Sequence, residues 1–473
     1  MLTCPTRVVA TIAILFAPLA AQSQVDPSLK LSTTNSAASS EFRAGMNDFQ
    51  NLSVESAASH FKAAIDADPG FGLARVMYAN SAPLDASQQA VELHRGVADA
   101  ARVGGNELVL ATAYHEAGLG HNDAANALFR AASQLMPADP LLASSAAGGF
   151  GAPLASTRDF ITKYPTYAPG YNTLAYQAWN AGDRAAALAA AKRQVELLPT
   201  APNPHDSYAE ILQWNGNFAE AAAHYKEATT LSPKFPEAYA GLAEVAALQG
   251  QYDQARSYLN QAIANSWSPQ QKVGYMRQIV GVSVMQGAPT ATVTQQLNAA
   301  IAEAKASGDA RTTAVLYSEL ATVQANAGDA NAAHQSLAMA KAASPTVPAN
   351  VHYYGAMAHG LMKHWAPASQ ELAAMKAQAA AEPGTVSPAA LAALEGYELT
   401  QQGKPADALA ILMKADTTNV LVANRIAEAH AALGHPAEAA AWNKRVTDNY
   451  ALNLIDFTNV NSRRRAKLET AKR

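Results

Sequence analysis

The sequence is poor in the residues on which covalent and metal-based chemistry most often depends. It contains a single cysteine, Cys4, with 7% aromatic and 15% charged residues against 49% hydrophobic residues. Cys4 lies before an N-terminal apolar run that we expect to be removed, so the mature chain should carry no thiol. This excludes disulfides, thiolate metal sites and a cysteine nucleophile from the mature chain.

Neither sign of charge dominates the chain. Lys and Arg number 34 and Asp and Glu number 38, which gives a formal net charge of −4. A balance of this kind provides no global field to recruit nucleic acid or an anionic membrane. Alanine, the strongest helix former, leads the apolar residues, and 473 residues are enough for several globular units or one extended array. The composition predicts a soluble, nearly all-helical protein.

The usual catalytic motifs are missing. The sequence has no Gly-rich phosphate loop and no Gly-x-Ser-x-Gly elbow. His115 and His121 are six residues apart, whereas a zinc-protease helix needs four. His352 and His359 share a helix face, but His364 follows five residues later, where the helix should have ended. We therefore predict a protein that is not an enzyme, with no catalytic residue, no cofactor and no metal.

Residues 1–23 have the pattern of a secretory signal peptide. Arg7 precedes an apolar run from Val8 to Ala21, about 14 residues, and small residues follow Pro18. A run of this length is shorter than the roughly 20 residues that span a bilayer as a helix, so a retained anchor is the weaker reading. Cleavage fits best after Ser23, with Ala21 as the alternative. The pattern predicts a periplasmic or secreted bacterial protein.

Three consecutive segments in the middle of the chain align without a gap. They are Tyr171–Pro199, His205–Pro233 and Tyr239–Trp267. Positions that recur every 34 residues are the glycines 182, 216 and 250 and the alanines 187, 221 and 255. A 34-residue period with a small residue in each helix, a turn glycine and a closing proline resembles the tetratricopeptide repeat (TPR) family.

Looser copies extend the resemblance to about 41–69 and 106–455, with degenerate stretches at roughly 72–103, 138–165 and 268–312. A single helix pair cannot bury its own apolar stripe, but stacked neighbours can. The resemblance implies an all-α fold, a right-handed superhelical solenoid of stacked antiparallel helix pairs. It also implies a concave groove lined by the first helix of each repeat.

The pattern along the chain predicts seven segments. Gln24 to about Ser40 is polar and Ser/Thr-rich, which favours a flexible leader. The Gly- and Pro-rich run from Ala146 to Pro153 favours a bend. The predicted segments are a signal peptide (1–23), the leader (24–40), N-terminal degenerate repeats (41–147), a bend and connection (148–167), three regular repeats (168–267), C-terminal repeats (268–455) and a basic tail (456–473).

The predicted groove lining is rich in amides, carboxylates and aromatic rings. Positions i, i+4 and i+8 beside the buried stripe include Ala240 and Leu248 and seven candidate peptide- or protein-binding residues: Asn172, Tyr176, Asn180, Asp206, Glu210, Trp214 and Glu244. None of these positions holds the Lys or Arg with which some repeat proteins of this family clamp a carboxylate. The lining therefore suits an extended segment with neutral or basic side chains.

A purely structural reading of the same residues is also open. Asn203 as N-cap and Pro204 as the first helical residue would put Asp206 in the first turn, where it would favour the helix dipole. Trp214 beside Gly216 could pack between repeats.

Two functional hypotheses remain. The leading one is a non-enzymatic scaffold that binds a protein or peptide segment in the groove. The alternative is a structural or assembly component of a cell-envelope or secretion complex that uses lateral faces and the basic tail. An enzyme or small-molecule binder hidden in the degenerate stretches has the least support. We expect no nucleic-acid partner and no transmembrane helix after signal cleavage.

Overall fold

The computed structural model describes most of the chain. The described residues are 29, 31–51, 53–84, 86–119, 121–146, 153–382 and 384–450. The predicted signal peptide (1–23) and basic tail (456–473) lie outside them, so those two predictions stay predictions.

The chain divides into two compact units, residues 1–149 and 150–473. The helices described in the first unit are α1 (Ser36–Gln50), α2 (Val54–Ala67), α3 (Gly72–Ser81), α4 (Ala86–Ala101), α5 (Gly105–Gly118), α6 (Asn122–Leu135) and α7 (Pro140–Ala146). They enclose one apolar core centred on Phe42, Phe61 and Phe71.

The second unit contains a longer run of helices. Those described are α8 (Leu154–Lys163), α9 (Ala168–Asn180), α10 (Arg184–Leu197), α11 (Pro202–Trp214), α12 (Phe218–Leu231), α13 (Pro236–Leu248), α14 (Tyr252–Ala264), α15 (Pro269–Gln286), α16 (Thr290–Ala306), α17 (Ala310–Asn326), α18 (Ala330–Ala343), α19 (Ala349–Leu361), α20 (Trp365–Ala381), α21 (Pro388–Gln401), α22 (Pro405–Leu412), α23 (Val420–Ala432) and α24 (Pro436–Thr447). Several small apolar cores follow one another along this run.

The turn between the two helices of a repeat forms as the sequence predicts. Gly182, Gly216 and Gly250 have φ of 80°, 83° and 73°, a left-handed conformation that glycine adopts without a Cβ penalty. Asp183 then caps α10, because its Oδ1 accepts a hydrogen bond from the backbone N–H of Ala186 at 3.1 Å. Each turn thus ends one helix and starts its antiparallel partner.

Small residues let the paired helices approach closely. Ala187, Ala221 and Ala255 are all 0% exposed, and α9 packs on α10, α11 on α12 and α13 on α14. The first helices also contact one another, α9 with α11 and α11 with α13. The described part of the chain contains no strand. The described residues form an all-α fold, and the helix pairs of the second unit stack into a solenoid.

The described part of the predicted leader is packed rather than free. Leu29 is 2% exposed, and the backbone N–H and hydroxyl of Ser32 both donate to Glu107. Helix α1 begins at Ser36, and the Asn35 side chain accepts hydrogen bonds from the N–H groups of its first turn. The polar composition of this stretch therefore reflects a helix cap, and the N-terminal unit starts before residue 41.

The stretches that the sequence marked as degenerate are helical too. The range 72–103 holds α3 and α4, and the range 268–312 holds α15, α16 and the start of α17. None of the described helices has the length and apolar character needed for a membrane span.

Candidate functional site

Helix α11 begins two residues earlier than the capping signals suggested. Ala201 is its N-cap and Pro202 its first residue, whereas Asn203 had been the expected cap. Both prolines fit the first turn, so the upstream one extends the helix. Asp206 therefore lies beyond the first turn, where the influence of the helix dipole has declined. The helix-start explanation for this carboxylate is wrong.

The structure brings five of the seven predicted residues into one region. Tyr176, Asp206, Glu210, Trp214 and Glu244 are half-buried on the successive first helices α9, α11 and α13. The other two predicted residues differ from these five in their solvent exposure. Asn172 is only 6% exposed, and Asn180 is exposed at the end of α9.

Side-chain hydrogen bonds join each first helix to the next. The three bonds are Tyr176 OH to Glu210 Oε2 at 2.5 Å, Gln213 Nε2 to Glu244 Oε2 at 2.9 Å and Gln271 Nε2 to Glu237 Oε1 at 2.8 Å. In each, a neutral group donates to a carboxylate on a neighbouring repeat. The donors hold the carboxylates in place without neutralising them.

Asp206, Glu210, Glu237 and Glu244 form a group that we call the carboxylate cluster. Burial, followed by the charges of the three glutamates, raises the pKa of Asp206 well above its usual range. Asp206 Oδ1 is also buried and accepts no hydrogen bond from the described residues. Burial raises the pKa of Glu210 and of Glu237 as well, although the hydrogen bonds to them act in the opposite direction. The charges of three glutamates thus act on a fourth, buried carboxyl group.

Aromatic rings form the wall beside the cluster. Trp214 lies 5.8 Å from Tyr176 and 5.2 Å from Trp179, measured between ring centroids. The guanidinium of Arg184 lies 3.2 Å from the centroid of a Trp179 ring. Part of the Trp214 surface is therefore used in packing between repeats, as the structural reading of this residue expected.

Three residues of this region were missed by sequence reasoning. Glu237 precedes Ala240 by three residues and Glu244 by seven, so helical spacing alone could have placed it on the same face. Gln213 is 0% exposed and would have been assigned to the core. Tyr450 reaches the region only through the tertiary fold, where its carbonyl oxygen accepts a hydrogen bond from Gln213.

The histidines considered for metal binding do not come together as a set. His352 pairs with Glu371 at 2.7 Å, whereas His359 and His364 lie near His334. Among the residues that the structure describes, no group of three or more His, Cys, Asp or Glu is arranged to hold a metal ion.

Comparison with known proteins identifies the repeat. The family model of the tetratricopeptide repeat matches residues 212–266, from the end of α11 to just after α14. No curated protein matches the chain.

Solved structures show distant likenesses. A structure from work on Pseudomonas aeruginosa PilF is 14% identical and covers 46% of this chain and 92% of its own, with a TM-score of 0.33. The APC/C hetero-tetramer Cut9-Hcn1 is 14% identical and covers 94% and 78%, with a TM-score of 0.47. The MamA protein is 15% identical and covers 48% and 91%, with a TM-score of 0.22.

The assignment rests on the family model and on the helix pairs themselves. Tetratricopeptide repeats are generally non-enzymatic scaffolds that bind proteins or peptides. Residues 212–266 of this chain match the tetratricopeptide repeat model, and they lie within a longer run of helix pairs of the same kind.

Proposed function

We propose that the protein is a non-enzymatic scaffold whose groove over α9, α11 and α13 binds a protein or peptide segment with basic or neutral side chains. The proposal rests mainly on the surroundings of the Asp206 carboxyl group. Its Oδ1 is buried without a hydrogen bond from the described residues, and the charged groups that act on it are three further carboxylates. A cationic side chain of a ligand would supply a hydrogen-bond donor for Asp206 Oδ1 and a positive charge opposite the carboxylates.

The neighbouring groups support a polar, oriented interaction. Glu210 already accepts one hydrogen bond from Tyr176, and a carboxylate has lone pairs for more than one donor. An Arg or Lys of a ligand can therefore bind without breaking the bond between the helices. Trp214 and Tyr176 offer aromatic edges beside the carboxylates for an apolar part of the same ligand.

The proposal is tested with Glu210→Gln in the full chain. Glutamine keeps an oxygen to accept from Tyr176 but removes the charge, so the fold should be preserved. A charge-assisted hydrogen bond contributes about 1.5–3 kcal/mol, so affinity for an Arg-containing peptide should fall roughly 10-fold or more. Glu227→Gln is the matched control, because Glu227 is an exposed residue on the second helix α12.

The measurement is a fluorescence-anisotropy titration with labelled peptides of equal length that are basic, neutral or acidic. Glu210→Gln should weaken binding of the basic peptide, while the control variant should leave that binding unchanged. A preference for acidic peptides, or equal loss in both variants, would refute groove binding. Trp214→Ala is a less clean test, since the ring also packs on Trp179.

Location and assembly belong to the same proposal. The signal-like residues 1–23 support export to the periplasm or beyond. In a pull-down from an envelope fraction, loss of the partner with Glu210→Lys supports the groove. Loss only after the basic residues of the tail are neutralised would favour the alternative, an assembly component that uses its lateral faces and tail.

A further inference from the structure

At the end of its described part the chain returns to the turn between α11 and α12, at one end of the groove helix α11. Tyr450 follows α24, yet its ring lies 5.1 Å from that of Phe218 in an edge-to-face arrangement. It also covers the turn at Gly216, where a Cβ would stand 3.3 Å from the Tyr450 ring. The carbonyl oxygen of Tyr450 accepts a hydrogen bond from Gln213 Nε2 at 3.3 Å, across 237 residues of sequence.

Gln213 links this contact to the carboxylate cluster. Its Nε2 also donates to Glu244 Oε2 at 2.9 Å, and its Oε1 accepts from the hydroxyl of Tyr225 at 3.2 Å. The side chain is 0% exposed, so these bonds fix its position. The backbone at Tyr450 is therefore one glutamine side chain away from a member of the cluster.

The residues that follow Tyr450 carry the opposite charge. Residues 451–473, which lie outside the described residues, contain two acids, Asp456 and Glu469, and six basic residues: Arg463, Arg464, Arg465, Lys467, Lys472 and Arg473. Six positive charges minus two negative charges give +4. The chain beyond Tyr450 therefore has a net positive charge, and its basic residues all lie between Arg463 and Arg473.

The length of this segment is sufficient to reach the cluster. Arg463 is 13 residues beyond Tyr450, and an extended chain spans up to about 3.3 Å per residue, or roughly 43 Å here. Gln213 and Asp206 are seven residues apart on α11, about 10 Å along the helix axis. The segment is therefore long enough for the arginines to contact the carboxylates.

We propose that residues 451–473 are an intramolecular ligand of this groove, with Arg463, Arg464 and Arg465 paired to the carboxylate cluster. The inference rests on the proposed function, since it assigns the same groove an occupant from its own chain. Tethering gives such a segment an effective concentration in the millimolar range. An external partner must displace the segment, so its apparent affinity is its intrinsic affinity multiplied by the fraction of molecules in which the groove is free.

The test uses the full chain with R463Q, R464Q and R465Q combined. The matched control combines R130Q, K192Q and K226Q, which removes the same charge from exposed positions elsewhere. The probe is a labelled synthetic peptide of residues 451–473, titrated by anisotropy at two salt concentrations. An unrelated basic peptide of equal length is titrated in parallel.

The tail-neutralised protein should bind the 451–473 peptide at least 10-fold more tightly than wild type or the control variant, and added Glu210→Gln should remove most of that gain. Equal affinity in all three proteins overturns the inference. Binding of the unrelated peptide but not the 451–473 peptide also overturns it and leaves the proposed function standing, whereas failure of both peptides refutes both. Concentration-dependent dimerisation of wild type that the neutralised variant lacks would assign the tail to a second copy and overturn intramolecular docking.

Discussion

Gly241 on α13 is the position where one added methyl group tests the packing of the site most directly. A Cβ there would lie 2.2 Å from Cε1 and 2.3 Å from Cζ of Tyr225. Tyr225 is 3% exposed, so its ring has no open space to move into. Its hydroxyl also donates to Gln213, the residue that holds Glu244. Gly241→Ala should therefore disturb both the core and the cluster.

The magnitude follows from three terms. Forcing an extra methyl group into a packed core costs about 1–3 kcal/mol, and loss of the hydrogen bond from Tyr225 adds about 0.5–1.5 kcal/mol. Alanine recovers roughly 1 kcal/mol through its higher helix propensity. The net expectation for Gly241→Ala is a destabilisation of about 0.5–3.5 kcal/mol.

The assay is urea unfolding followed by circular dichroism, with Gly274→Ala as the control. Gly274 also lies inside a helix, α15, but a Cβ there meets nothing within 4 Å. The control should stabilise the protein by about 0.5–1 kcal/mol, since only the helix propensity changes. Opposite shifts of the unfolding midpoint support the reasoning. Stabilisation by both variants would show that Tyr225 does not pack against α13 as described.

Three further predictions concern charge, repeat packing and export. Because the folded-state pKa of Asp206 is raised, its contribution to stability is present below its unfolded pKa of about 3.9 and is lost as the pH rises through the folded value. Asp206→Asn should therefore stabilise the protein at pH 7. The gain should be at least the roughly 0.2–0.5 kcal/mol by which an exposed like-charge pair such as Asp206 and Glu210, four residues apart on a helix, is destabilising. An unchanged thermal midpoint would contradict this. Ala221→Leu should overpack a residue that is 0% exposed and cost about 1–3 kcal/mol, and unfolding like that of wild type would contradict the register. Intact-mass measurement of exported protein should give an N-terminus near Gln24 or Gln22, whereas a full-length cytoplasmic product would refute export.

The repeat and its local geometry could be predicted from the amino-acid sequence. The 34-residue spacing of Gly182, Gly216 and Gly250 identified the turns, and the matching alanines identified the closest helix contacts. These features could be predicted because they depend on residues close in sequence, namely a glycine that ends a helix and small side chains on one face of each helix. The same helical spacing selected Asp206, Glu210 and Glu244 for the groove.

The way in which those residues act together depends on how the repeats pack in three dimensions. Spacing along one helix does not specify the angle at which the next repeat packs, so it could not show that Asp206 Oδ1 is buried beside three other carboxylates or that Asn172 is withdrawn from solvent. The contact of Tyr450 with Gln213 spans 237 residues. It depends on the summed rotation of all the repeats between them, a quantity that no local pattern encodes.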